Sequence, residues 1–220
     1  MSLTDHAYEL IRRDIISCVL PPEAEFTEVD LAGRLQMSKT PVREALARLQ
    51  FEGLVRAYPR RGYQIEPVRL SDINDIFDAR AIVEAGVITL AVERITDAEL
   101  ERLDGLARAS SDDGYATDFE RSHRLNNEFH EAIALASGNL RLHRMVVQTN
   151  TELERFFFLE AHAEDAYPAD HVTHGQIVAR MRERNPETAR QAIIEHIEGT
   201  RRLLVGALMD GKIGKNLLLA

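Results

Sequence analysis

Apolar positions recur at helical spacing in two short segments near the start of the chain. The first segment follows a capping-box pattern formed by Thr27 and Asp30. Its apolar side consists of Leu31, Ala32 and Leu35. The second follows Thr40-Pro41, a cap residue and a proline in the order typical of a helix start. Its apolar side consists of Val42, Ala45, Leu46 and Leu49. This pattern predicts two short helices joined by a turn at Met37-Ser38.

The other side of the second predicted helix is polar, and a predicted wing follows it. Its polar residues are Lys39, Arg43, Glu44 and Arg48. Extended segments at 54–58 and 63–65 flank the turn Pro59-Arg60-Arg61-Gly62, in which Gly62 can adopt positive φ. This order predicts a winged helix-turn-helix, whose second helix enters the major groove. The alternative is a small helical core element with a solvated charged face. The candidate DNA-binding residues are Ser38, Lys39, Thr40, Arg43, Arg48, Arg61 and Gly62.

These residues resemble the winged-helix domain of the GntR transcription regulators over about residues 5–67. The resemblance rests mainly on the runs MSKTPVREAL from Met37, EGLV from Glu52 and PRRG from Pro59. Two positions depart from the family. Pro21-Pro22-Glu23 lacks a glycine that usually follows the first proline, and Lys39 stands where arginine is more frequent. A guanidinium reads guanine through two hydrogen bonds better than an ammonium does. The resemblance therefore implies DNA binding but does not supply the operator sequence.

After the linker Glu66–Leu70 the pattern predicts six helices and no strand. The predicted segments are about 71–93, 97–110, 115–136, 140–163, 168–184 and 187–209. Thr96–Glu99 is a capping box, Gly138-Asn139 breaks the chain, and Asn185-Pro186 begins the last segment. The predicted fold class is mainly α. It combines a winged helix-turn-helix over 1–67 with an antiparallel all-α helical bundle over 68–220.

Polar residues on the apolar stripes of this bundle are candidates for a buried site. They are Asn126, His130, His174 and His196. Three imidazoles and one amide oxygen from three helices suit Zn²⁺, Ni²⁺ or Mn²⁺. The alternative is a set of ordinary hydrogen-bonded core histidines. Spacing also leaves open four competing histidines, namely His123, His143, His162 and His171.

Arg80 lies on the apolar stripe of the first predicted helix of the bundle. That stripe consists of Ile73, Ile76, Phe77, Val83 and Val87. A cation that faces a core needs a partner. One candidate is Glu84, one turn further on, or another acid across the bundle. The other is the carboxylate of a small organic acid, which a guanidinium can hold through two hydrogen bonds.

The bundle resembles the FCD effector domain of the FadR subfamily of GntR regulators, in its shorter, VanR-like form with six helices. The resemblance rests on Asn126–His130, Ala136–Asn139, His174–Ile177, His196 and the helix that carries Arg80. In many members an aspartate and three histidines bind a divalent metal, and Asn126 stands at the aspartate position. The resemblance thus implies a metal at Asn126, His130, His174 and His196, with weaker binding because an amide brings no charge. It also favours an effector carboxylate at Arg80.

Composition agrees with two domains, one of which binds DNA. The chain has 220 residues, 45% of them hydrophobic, and a net charge of −9. Residues 34–65 hold seven basic and two acidic residues, which gives +5, whereas residues 67–220 hold 18 and 26, which gives −8. A local basic face can therefore bind phosphates despite the acidic total. The single cysteine, Cys18, is expected in the first helix and suits a reducing cytoplasm. The sequence contains no run of 18 apolar residues, so it predicts no membrane-spanning helix.

Together these features predict a cytoplasmic, metabolite-responsive transcription regulator and not an enzyme. It would bind operator DNA as a homodimer and a small carboxylate in its helical domain. A role as repressor is the family's habit. One alternative is a metal-dependent helical enzyme with a DNA-binding appendage, for which Glu128, Glu131 and Glu195 could serve as bases. A second is a structural DNA-bridging protein without a ligand.

Overall fold

The computed structural model describes residues 2–67, 70–111, 119–161 and 172–209. They form two compact units that divide between Pro67 and Leu70. Within these ranges, every helix is too short or too polar to cross a membrane.

The first unit combines three helices with a small antiparallel sheet. In chain order its elements are α1 Leu3–Ile16, β1 Glu25–Phe26, α2 Glu28–Leu35, α3 Lys39–Phe51, β2 Val55–Tyr58 and β3 Gly62–Ile65. The strand order is β1-β3-β2, with Phe26 opposite Tyr63 and Val55 opposite Ile65. Helices α1 and α3 pack together around fully buried aliphatic side chains from both. These are Ile11, Ile15, Val42, Leu46 and Leu49.

The predicted helix-turn-helix and wing are confirmed, with three corrections. Helix α3 begins at Lys39 after Ser38, so Thr40 does not cap it, and Pro41 is tolerated because first-turn amides have no partner in their helix. The wing has a third strand, β1, whose two residues are too few for alternation to be recognised. Cys18 lies beyond α1 and is half-buried.

The second unit contains six helices, as predicted, and no strand among its described residues. They are α4 Leu70–Arg94, α5 Asp97–Ser111, α6 Phe119–Ala136, α7 Leu140–Ala161, α8 His174–Arg182 and α9 Pro186–Met209. Helix α8 begins at His174 and not near 168, because Thr173 and Gln176 form a capping box there. The predicted helical residues 115–118, 162–163 and 168–171 lie outside the described ranges.

Helix α4 is the central helix of this unit and contacts α6, α7 and α9. Phe77 on α4 and Phe129 on α6 are completely buried in the core between the helices. Burying a side chain of this size contributes about 1.5–3 kcal/mol. Gly138, with a φ of 69°, turns the chain from α6 into α7, and the side chain of Asn139 caps α7. Polar groups on α4 and α6 that face this core therefore lie in a buried, closely packed environment.

Candidate functional site

The outer side of α3 carries a row of exposed polar residues. Pro41, Val42 and Leu49 anchor the opposite side in the core. The exposed residues include Ser38 before the helix, then Lys39, Thr40, Arg43 and Arg48 along it. Anchoring one side of the helix leaves the other free to lie in a groove of DNA.

Arg43 is held in place by an acid from the preceding helix. Its Nε and Nη2 donate to the carboxylate of Glu28 at 2.9 and 2.8 Å, and the Tyr63 hydroxyl donates to the same carboxylate at 3.3 Å. The hydrogen bonds from Arg43 lower the pKa of Glu28. The Arg43 side chain nevertheless stays 64% exposed. The guanidinium is therefore oriented by Glu28 and still accessible to DNA.

Arg48 has a different environment from Arg43. Its Nη1 donates to Asp5 at 3.1 Å, and its guanidinium lies 3.9 Å from the centre of the Tyr8 ring on α1. Both contacts hold the side chain against α1. A role of Arg48 in DNA contact remains a prediction, and its position favours a structural role as well.

Three cations near the wing and the start of α3 have no ion-pair partner within residues 2–67. They are Lys39, Arg60 and Arg61. Gly62 has a φ of 109°, and its Cα lies so close to the Phe26 carbonyl that a Cβ would collide with it. Glycine is therefore required there, and it fixes the loop that carries Arg60 and Arg61. Unpaired cations at a loop tip suit phosphates or a narrow minor groove.

In the second unit, three of the predicted histidines converge. His130 on α6, His174 on α8 and His196 on α9 place their candidate ligand nitrogens within 4.8 Å of one another. The ring centroids of His174 and His196 are 4.8 Å apart, and His130 lies 5.3 and 5.4 Å from them. His174 also stacks on Phe129, with 4.1 Å between ring centroids. The competing histidines do not join this cluster. His123 binds Asn127 and His143 lies apart, while His162 and His171 fall outside the described ranges.

Contacts outside the cluster fix which nitrogen of each ring faces its centre. His130 Nδ1 lies 2.6 Å from the Glu84 carboxylate, and His196 Nδ1 lies 2.7 Å from the Val172 carbonyl. His174 Nδ1 lies 3.0 Å from the Ser110 hydroxyl, whose proton is donated to the Ala107 carbonyl. Nδ1 of His130 and Nδ1 of His196 each face an acceptor oxygen and are therefore donors, which leaves Nε2 of each ring as the candidate ligand atom. This is the outer-contact pattern of metal-binding histidines.

Glu84 connects His130 to Arg80. Arg80 Nε donates to one oxygen of Glu84 at 2.6 Å, while His130 uses the other oxygen, and all three residues are buried. Burial alone would raise the pKa of Glu84, but the charges and hydrogen bonds of His130 and Arg80 lower it to about 2. Burial lowers the pKa of His130. At neutral pH Glu84 is therefore an ionised carboxylate that lies between Arg80 and His130.

Two polar atoms of this group lack a partner within the described residues. Nε2 of His130 and Nη2 of Arg80 are both buried without a hydrogen bond. Such atoms are uncommon in folded proteins and call for an explanation. The predicted ligand Asn126 is half-buried and donates its amide nitrogen to Asn127 at 3.3 Å. Its oxygen is the atom that could act as a ligand, and its membership of the site remains a prediction.

Comparison with known families adds the decisive observation. The model for "Bacterial regulatory proteins, gntR family" matches residues 3–65, and that for the FCD domain matches residues 75–199, more than half of the chain. This chain is a GntR-family transcription regulator with an FCD domain. Regulators of this family bind DNA, and the relatives and fold neighbours of this chain are transcription regulators. The predicted resemblance is confirmed.

Individual relatives agree with this assignment. The HTH-type transcriptional regulator YdhC of Bacillus subtilis is 25% identical, over 93% of this chain and 92% of its own. The HTH-type transcriptional repressor GlaR of Escherichia coli is 25% identical, over 90% and 96%. The E. coli McbR/YncC structure has a TM-score of 0.75 and 24% identity, covering 94% of this chain and 99% of that one. At that identity the structural likeness shows the fold alone.

Some features of the site could not be predicted from the sequence. The i, i+4 spacing of Arg80 and Glu84 indicated their pairing, but nothing local indicated that Glu84 also binds His130. The contacts of Ser110 and Val172 with the histidines depend on the packing of α5, α8 and α9. Such contacts join positions far apart in the chain, so periodicity within one helix does not reveal them.

Proposed function

We propose that this GntR regulator senses a small organic acid in its helical unit and alters operator binding in response. The observation that carries the proposal is the chain Arg80–Glu84–His130, which ends in a buried donor at one end and a buried acceptor at the other. A carboxylate would satisfy Nη2 of Arg80. A divalent cation would satisfy Nε2 of His130.

The residues of the histidine cluster fit a divalent metal. His130, His174 and His196 would bind it through Nε2, and Asn126 would supply an oxygen as a fourth ligand. Three imidazoles with fixed outer contacts suit Zn²⁺, Ni²⁺ or Mn²⁺ and leave coordination positions for an oxygen ligand. A bound ion would act as a Lewis acid that holds one oxygen of the effector. Asn126 brings no charge, so we expect weaker binding than an aspartate would give.

Arg80 would orient the effector carboxylate. Glu84 binds its Nε, and Nη2 is a buried donor without a partner among the described residues, so it is available to a ligand. Arg80 is only 1% exposed, and hydrogen bonds in such a dry environment are stronger than in water. The site therefore favours a small anion over a large neutral ligand.

The regulator would act in the cytoplasm as a homodimer and as a repressor. A single winged helix contacts one half-site, and two copies on a two-fold operator increase specificity. The name of GlaR supports repression. Sedimentation of the full-length protein should give twice the formula mass of 24.9 kDa. A monomer both free and on DNA would contradict the dimer.

Melting curves of the full-length protein with a panel of organic acids, with and without each metal, test the proposal. A ligand that binds the native state raises the melting temperature. At least one acid should do so in the wild type and much less in Arg80→Lys, which keeps a cation beside Glu84 but lacks the planar fork. Arg102→Ala, an exposed change on α5, serves as control. The sensing proposal fails if no acid shifts the wild type under any condition.

A further inference from the structure

Asn150 on α7 carries a buried side-chain amide that has no role in the metal and effector site proposed above. It is 2% exposed, and both its Nδ2 and its Oδ1 lack a hydrogen-bond partner among the described residues. The neighbouring Thr149 is also buried, but its hydroxyl donates to carbonyls of its own helix. A buried side-chain amide whose Nδ2 and Oδ1 both lack a hydrogen bond is destabilising, because both groups have lost their hydrogen bonds to water. A ligand that both donates and accepts would restore them.

The register of the helices places Asn150 at the level of Arg80. Helices α6 and α7 are antiparallel, and His123 on α6 lies 3.8 Å from Glu154 on α7. One turn after His123 and one turn before Glu154, Asn127 and Asn150 therefore lie at the same height along the bundle. Helices α4 and α6 run in the same direction, since Glu84 contacts His130 and Arg94 donates to the carbonyl of Ser137. One turn before the Glu84–His130 contact, Arg80 is level with Asn126. One layer of the bundle therefore contains Arg80 and Asn150.

The chemistry of this layer narrows the class of effector. Arg80 offers a donor for a carboxylate oxygen. Asn150 offers a second donor, Nδ2, and an acceptor, Oδ1, which can be satisfied only by an X–H group. A carboxylate with a hydroxyl on the adjacent carbon presents an acceptor and a donor side by side. A simple carboxylate leaves Oδ1 unsatisfied.

We propose that Asn150 is a specificity-determining residue that selects 2-hydroxy carboxylates over the corresponding acids without the hydroxyl. Nδ2 donates to a carboxylate oxygen of the effector, and Oδ1 accepts from its hydroxyl. Arg80 Nη2 donates to the same carboxylate. This inference rests on the proposed acid-sensing function and adds the feature that distinguishes one acid from another.

Calorimetric titration of the full-length protein with matched pairs of acids tests the proposal. The pairs are lactate and propionate, glycolate and acetate, and malate and succinate. They are compared with Zn²⁺ present and with a chelator, because a hydroxyl can also bind a metal. Wild type should prefer the hydroxy acid by at least about tenfold, as expected of a site built to bind a hydroxyl. Asn150→Leu should bind both members alike, and Thr149→Val should keep the preference.

The melting temperature of the unliganded protein gives a second readout. Asn150→Leu should melt at the same or a higher temperature than wild type, because it removes two unsatisfied polar groups without leaving a large cavity. A purely structural amide would give a lower one. If Asn150→Leu does not fold, Asn150→Ala replaces it, and this variant should likewise bind both members of each pair alike.

The outcomes separate this inference from the function on which it rests. Equal binding of both members by wild type, or a preference that survives in Asn150→Leu, would overturn the role of Asn150 and leave acid sensing intact. Failure of every acid to bind would overturn both proposals.

Discussion

The two units hold the arginines that we propose to bind their ligands in opposite environments. Arg43 in the winged helix is 64% exposed and pairs with Glu28 at the surface, whereas Arg80 in the bundle is 1% exposed and pairs with the buried Glu84. A surface pair is screened by water and contributes at most about 1 kcal/mol, so DNA phosphates or bases can displace it. A buried pair cannot be separated without leaving an uncompensated charge.

This difference indicates how each unit would select its proposed ligand. DNA is a large polyanion, and a solvated cationic face binds it without prior desolvation of the protein. A small acid offers few contacts, so the bundle must supply groups that are already dry and oriented. In the proposed function, arginine would thus serve as an adaptable surface contact in one unit and as a fixed anchor in the other.

The largest expected effect concerns the histidine cluster. His174→Ala removes one of three converging imidazoles and should weaken binding of Zn²⁺, Ni²⁺ or Mn²⁺ by more than the roughly 10–100-fold that outer-shell changes cause. His143→Ala, a half-buried histidine outside the cluster, should bind as wild type does. Elemental analysis and metal titration measure both. Equal affinity in His174→Ala would mean that these are ordinary core histidines.

In the winged helix, Arg43→Ala should abolish specific operator binding while the fold stays intact. Loss of one good base contact costs about 1–3 kcal/mol, or about 5–150-fold in affinity. Arg61→Ala should lower operator affinity by a smaller factor and reduce its salt dependence. The reason is that Arg61, at the tip of the wing, is expected to contact the phosphates or the minor groove of the DNA. Anisotropy titrations at fixed salt measure both, with Arg102→Ala as control. Unchanged affinity of Arg43→Ala would refute the role of α3 in recognition.

A negative charge introduced at the predicted metal site should strengthen metal binding. Asn126→Asp should tighten metal binding by about tenfold or more, because attraction between opposite charges is poorly screened in the interior. Asn127→Asp, the neighbouring amide that contacts His123, is the matched control and should have a smaller effect. Metal titration distinguishes the two variants. A tighter site in Asn127→Asp alone would exclude Asn126 as the oxygen ligand.

The buried imidazoles should make stability depend on pH. Burial, helped by the neighbouring imidazoles, lowers the pKa of His196 well below its usual 6.5, and burial also lowers that of His130. As pH falls below about 6.5, the histidines of the unfolded chain bind protons, whereas the buried histidines of the folded chain do not. The free energy of unfolding therefore decreases. Glu84, with a pKa of about 2, adds a separate loss of stability from about pH 4.5 downward.

Melting of chelator-treated protein between about pH 8 and 5 measures this effect. The melting temperature should begin to fall near the ordinary histidine pKa, and His196→Gln should flatten the curve. Histidines that titrate as in solvent would give a flat curve in this range for both proteins. Metal occupancy of untreated protein should fall below about pH 6 as the imidazoles become protonated.

Much of the fold could be predicted because its signals are local. Thr27 with Asp30 and Asn185 with Pro186 mark helix starts within a few residues, and the apolar stripes define the buried sides. Convergence of His130, His174 and His196 could only be suggested, because it depends on how three helices pack. Strand β1 and the exclusion of His123 were not predictable, since a two-residue strand has no period and His123 is buried on the same stripe as Asn126.

The most direct test of the account is whether an acid bound in the bundle changes operator binding by the winged helix. Anisotropy of labelled operator DNA, selected from random duplexes, would be measured with full-length protein, metal and a saturating acid. Coupling between two sites is typically about 5–150-fold in affinity. We predict a shift in this range for wild type and none for Arg80→Lys. Operator affinity that is unchanged by every acid shown to bind the bundle would contradict the account.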